Sequence, residues 1–137
     1  TLLVSLLVNR LGQIGLAIVG GALVSLGFLT QVFQPVWWLS FGAMVLIGLG
    51  FYMVHNTLQT NATQMAPQAR GTALAIFSSM LYFGITTGVA IAGPIVDRYT
   101  AVPVFLASAI GFPLVSAIFA YGLVRKRRAE AQALTKE

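Results

Sequence analysis

The sequence predicts an all-α fold, a polytopic transmembrane helical bundle with four full spans. Three observations predict it. Of the 137 residues, 58% are hydrophobic and only 8% are charged, where a soluble domain carries roughly 25% charge. The few charges are confined to short stretches, so that residues 11–69, 71–96 and 99–124 contain no Lys, Arg, Asp or Glu. These long gaps also lack the alternation of polar and apolar residues that a membrane barrel strand shows. Backbone groups in hydrocarbon must then be satisfied within helices. About 20 apolar residues cross a ~30 Å hydrocarbon core, so the first gap holds two spans and the other two hold one each.

Taken in order, Thr1 to Val8 is apolar up to Asn9-Arg10. A signal peptide carries its positive charge ahead of the apolar run, so residues 1–10 read as the end of an earlier span and a cytoplasmic loop. The four-span segment covers residues 11–124. Span one runs from about Leu11 to Thr30, and the turn Gln31–Pro35 follows. Pro35 sits in the first turn of span two, where its missing N–H is tolerated, beside Trp37 and Trp38 at the depth favoured by indole rings. Span two runs from about Val36 to Leu58 and extends toward Met65, because Pro67 biases Ala66 out of helical geometry. Span three covers about Gly71 to Val96, its run of small residues ending at Gly93-Pro94, and the loop from Asp97 to Ala101 follows. Span four covers about Val102 to Val124, with Pro113 expected to kink it. Residues 125–137 form a basic, polar tail, read as a short solvated helix or as disordered chain.

Charge sets the orientation. An even number of spans puts Arg10, the 59–70 link and the tail on one side, which collects seven basic residues: Arg10, Arg70, Arg125, Lys126, Arg127, Arg128 and Lys136. The other side holds Arg98 alone. This bias predicts a cytoplasmic location for the first side and for the C-terminus. A net charge of +5 would also suit nucleic acid, but half of the basic residues lie in the run 125–128 directly after a span, where they serve as headgroup-level anchors. No nucleic-acid partner is expected; the lipid bilayer is. There is no Cys and a single His, so neither a disulfide framework, a metal site nor a catalytic constellation can be assembled, and no phosphate-binding loop or other cofactor motif occurs. The chain does not read as an enzyme.

Two groups of residues carry functional expectations. In span two, Gly48, Tyr52, His55, Asn56 and Gln59 fall on one helical stripe. Polar side chains at membrane depth face protein or a water-filled cavity, so span two is expected to line a path, while spans one and four, which lack such a stripe, are expected to face lipid. His55 is the one side chain within a span whose ordinary titration lies near neutral pH; it serves either as a proton relay or as a hydrogen-bonded structural or interfacial histidine. In span three, Gly84 and Gly88 form a G-x-x-x-G pair extended by Ala92. Small residues four apart allow close helix approach in lipid, either as simple packing or as a moving seam.

Three local patterns resemble the C-terminal half of a major facilitator superfamily transporter. Asn9-Arg10-Leu11-Gly12-Gln13 resembles the D-R-x-G-R loop motif, with Asn9 for Asp and Gln13 for the last Arg. Pro67-Gln68-Ala69-Arg70-Gly71 is similar to the P-x-x-R-G turn before the penultimate helix, and Gly84 to Pro94 resembles a loosened Gly-Pro antiporter motif. The stretch from His55 to Thr60 further resembles the drug and sugar efflux branch. This resemblance implies helices nine to twelve of a twelve-helix fold. Helix ten would line the cavity and helix eleven would sit at the interface of two halves, the N-terminal half being missing from the chain. It also implies alternating access, a small-molecule substrate, proton-coupled efflux and a bacterial inner-membrane location. Two rival readings are a structural tetraspan subunit without transport of its own and a small four-span antiporter. The second depends on a membrane-embedded Glu in its first span, and span one here has none.

Overall fold

The structure, a computed structural model, describes residues 2–33 and 36–134, with side-chain surroundings for 12–33, 36–126, 128, 129, 131 and 132. Pro35 and Lys136, for which roles were expected above, lie outside the described residues. Four helices account for nearly all the rest: α1 (Leu2–Val32), α2 (Trp38–Met65), α3 (Arg70–Arg98) and α4 (Val102–Leu134). Each contains a stretch long and apolar enough to cross a membrane, the shortest being the 21 residues Gly12–Val32. At 1.5 Å per residue, that stretch spans about 31 Å, matching the ~30 Å hydrocarbon core. The all-α fold of four spans therefore stands.

Local sequence explains most of the boundaries. Gly12 adopts φ +64° and ψ 177° inside α1, so two helical pieces meet there. Such a conformation strongly favours glycine. Ala66, ahead of Pro67, leaves the helix with φ −132° and ψ 71°, as the proline requires.

The Gly93-Pro94 pair lies inside α3, which runs to Arg98, two residues past the expected end at Val96. Pro94 gives up only the bond to the Ala90 carbonyl, and a single turn of helix remains beyond it. The polar tail, expected as a short solvated helix or as disordered chain, is helical over its described part, because α4 continues without a break through Pro113 and Arg125 as far as Leu134.

Helix α1 is the hub. It packs against α2 on one face and α4 on another, whereas α3 touches α2 and α4 only sparsely. Glycine makes the α1–α2 seam close. A Cβ on Gly20 would lie 2.7 Å from the Gly50 carbonyl oxygen, and one on Gly50 would lie 2.5 Å from that of Gly20. Two turns along, a Cβ on Gly27 would lie 2.9 Å from the Ala43 carbonyl oxygen. The step of seven residues on both helices keeps these antiparallel contacts in register.

The neighbouring stripe of α1 serves α4. Gly21 lies against Ser116 and Pro113, Ser25 Oγ donates to the Ala109 carbonyl at 2.7 Å, and Phe28 meets Phe105 at 6.0 Å. Span one, expected to face lipid, thus leaves only a third stripe uncovered, where Ile18, Ala22 and Leu26 are exposed. Two of its faces carry stripes of small residues that draw neighbouring helices in.

Candidate functional site

Helix α2 has two opposed faces. Its buried residues are Ala43, Gly50, Met53, Val54 and Thr57, and they meet α1. The stripe of Gly48, Tyr52, His55, Asn56 and Gln59 lies about 180° away at 100° per residue. A Cβ on Gly48 would meet nothing within 4 Å, Tyr52 is exposed, and His55, Asn56 and Gln59 are half-buried. The polar stripe therefore faces away from the packed core. Among the described residues, none of its four polar side chains makes a hydrogen bond.

The packed face of α2 treats its polar groups differently. Thr57 Oγ1 donates to the Met53 carbonyl at 2.8 Å. Asn61 Nδ2 donates to the Thr57 carbonyl at 2.8 Å and to Gln13 Oε1 at 3.1 Å. This last bond joins the residue after the Gly12 break to the end of α2, and it brings the first loop motif to the same end of the bundle as the 59–70 link. Pro67 and Gly71 are exposed in and after that link, and Arg70 opens α3 with its side chain exposed. Asn9 and Arg10 lie on the helical piece before Gly12.

His55 stands apart from its stripe. Its ring stacks on Phe51 with centroids 5.6 Å apart and planes 14° apart, and it meets Phe77 of α3 at 5.4 Å. Phe51 in turn contacts Phe112 of α4 at 6.2 Å. These three phenylalanines were not singled out from the sequence. Phe51 could have been, since it lies one helical turn before His55; Phe77 and Phe112 come from other helices and carry no local signal.

Helix α3 has no buried residue. Around the Cβ positions of Gly84, Gly88 and Gly93 nothing lies within 4 Å, so among the described residues no other helix comes into close contact with them. Gly88 and Ala92 instead border a crevice of about 310 Å³ shared with Pro103, Ala107 and Ser108 of α4.

With four apolar helices and an outward polar stripe in place, the sequence profile of the Major Facilitator Superfamily matches residues 1–137. The chain belongs to the major facilitator superfamily. Comparison with curated proteins and with solved structures gives no significant match. As a superfamily member, the chain is a multi-pass membrane protein of the secondary transporter class, handling a small molecule in a lipid bilayer, and it is not an enzyme. Both rival readings, the structural tetraspan subunit and the small four-span antiporter, give way to that assignment.

Proposed function

We propose that these four helices are helices nine to twelve of a proton-coupled efflux transporter of the inner membrane. Its N-terminal half completes the cavity, and its basic helix ends and C-terminus lie in the cytoplasm. The polar stripe of α2 carries this reading. Each unsatisfied polar group in hydrocarbon costs several kcal/mol, so Tyr52, Asn56 and Gln59 belong against water or protein, and the face they occupy points away from α1. His55 lies at the edge of the same path. Gly84, Gly88, Gly93 and Pro94 present an open, small-residue face on α3 to the other half. The antiparallel helix order supports the cytoplasmic assignment, since it collects Arg70, Arg125, Lys126 and Arg128 at the Gly12 end of the bundle.

The test uses single cysteines, because the chain has none of its own. In the full-length transporter in membranes, Tyr52→Cys, Asn56→Cys and Gln59→Cys should react with a water-soluble maleimide, and substrate should slow the reaction. Ile110→Cys and Ile118→Cys, exposed on α4, should resist it as lipid-facing controls. Equal reaction at both sets, or none at the stripe, overturns the path assignment. Proton coupling is tested by His55→Gln: a relay role requires the pH dependence of transport to flatten, and an unchanged profile removes that role.

A further inference from the structure

The junction of α2, α3 and α4 holds a cavity of about 290 Å³, at the lower end of the ~300–1,000 Å³ range of small-molecule pockets. We infer that this cavity binds an uncharged planar ring compound, with His55 as its hydrogen-bonding contact. The inference rests on the transporter reading in one respect only, that the bound compound is cargo.

The walls point to a ring. Phe51, Phe77 and Phe112 come from three different helices and converge with the His55 imidazole. Aromatic groups at centroid spacings of 4.5–7 Å favour stacked and tilted neighbours, so a flat ring entering beside them extends an arrangement that already exists. Apart from Ser116, the remaining lining is aliphatic or thioether, including Met80, whose flexible side chain adapts to irregular shapes.

Polar contacts are scarce. Ser116 borders the cavity, but it is buried with its Oγ lacking a hydrogen-bond partner, and that oxygen lies 2.8 Å from where a Cβ on Gly21 would sit, on the α1 side. His55 is thus the polar side chain left to the occupant. A neutral imidazole offers one donor and one acceptor, which suits a single hydroxyl, amide or ring nitrogen.

Charge narrows the class. No Asp, Glu, Lys or Arg lines the cavity, so neither an anion nor a cation finds a counter-ion there. Ring faces do attract cations, but the imidazole among them is itself cationic when protonated. An acyl chain is the other apolar occupant to consider. The neighbouring crevice between α3 and α4, lined by Gly88, Ala92, Pro103 and Ala107, has no aromatic wall and would suit a chain equally well. The convergence of rings is what distinguishes the junction from it.

The experiment uses the full-length transporter in lipid nanodiscs and a photoactivatable analogue of 2-naphthol, with labelled peptides identified by mass spectrometry. Label should concentrate on residues 51–58, 77–81 and 112–116, and 2-naphthol should compete it away. Val115→Trp, which adds bulk at an exposed rim position, should weaken competition about tenfold. Phe77→Leu should do the same by removing a ring contact, while Ile118→Trp, on the exposed outer side of α4, should leave it unchanged. Monodisperse elution of each variant guards against misfolding.

Three results would overturn the inference: label spread over lipid-facing residues, equal competition by decanol, or stronger competition by the cationic 1-methylquinolinium. Failure of the transporter reading would show separately, as absence of transport in proteoliposomes with the labelling intact.

Discussion

Helices α1 and α3 are similar in length, hydrophobicity and glycine content, yet they occupy opposite situations. The glycines of α1 at positions 20, 21 and 27 are pressed against other helices, so that an added Cβ would meet backbone or side-chain atoms at under 3 Å. The glycines of α3 at 84, 88 and 93 meet nothing. Both helices display small residues, but only α1 finds matching small residues across the seam: Gly50 and Ala43 on α2, Ser116 on α4. In lipid, where apolar surface gains little by meeting apolar surface, close approach requires both partners to be small. A small-residue stripe is therefore an offer, and its partner's sequence decides whether it is taken up within the chain. α1 is the structural centre of these four helices, and α3 is the helix left with a free face.

The largest effect on stability is expected where the seam is tightest. Gly50→Leu should destabilise the fold by about 3 kcal/mol, at the upper end of ordinary overpacking costs, because the obstacle is the Gly20 backbone rather than a side chain that can rotate away. Unfolding of the detergent-solubilised protein by sodium dodecyl sulfate, followed by circular dichroism, would measure it. A cost under 1 kcal/mol would mean that the α1–α2 seam is looser than described.

Next in size is Gly12→Ala. Here an added Cβ would meet nothing within 4 Å among the described residues, so sterics with those neighbours predict no cost, while the positive φ predicts about 1–2 kcal/mol. The same unfolding measurement decides between these. No change would show that the chain can pass from one helical piece to the next by another route. A smaller loss, about 1 kcal/mol, is expected from Asn61→Ala, which removes the bond to Gln13 and with it the polar tie between the Gly12 break in α1 and the end of α2. Gln13→Ala should cost a similar amount, and the double variant little more than either alone if the bond is the common cause.

Much of this was legible in the sequence because it depends on chemistry that is local to the chain. The absence of charge over residues 11–69, 71–96 and 99–124 is enough to place four spans, and Pro67 is enough to bend Ala66. The stripe of Tyr52, His55, Asn56 and Gln59 could be read from helical periodicity alone, and it does fall opposite the buried face of α2. What could not be read locally was pairing. The G-x-x-x-G spacing at Gly84 and Gly88 drew attention to α3, while the α1 glycines that form the α1–α2 seam are spaced by seven, Gly20 with Gly27, and matter only because Ala43 and Gly50 repeat that spacing on another helix. Pro94 stops nothing, since one lost hydrogen bond near a helix end does not end a helix whose apolar surroundings offer the backbone no other partner. The aromatic walls around His55 were hidden for the same reason as the seams: Phe77 and Phe112 reach it through the fold.

The smallest expected effect on stability is also the one that sharpens the comparison most. Gly88→Leu adds a bulky side chain where this chain offers only open space, so unfolding should shift by less than about 0.5 kcal/mol, as for a surface substitution. If the free face of α3 is the proposed seam with the other half of the transporter, the same variant should nevertheless lower transport by tenfold or more, because the added side chain would keep the two halves apart in at least one state of the cycle. Stability and activity would then separate at Gly88, whereas at Gly50 they fall together. Full transport by Gly88→Leu would leave α3 as a lipid-facing helix, and its glycines would need no partner at all.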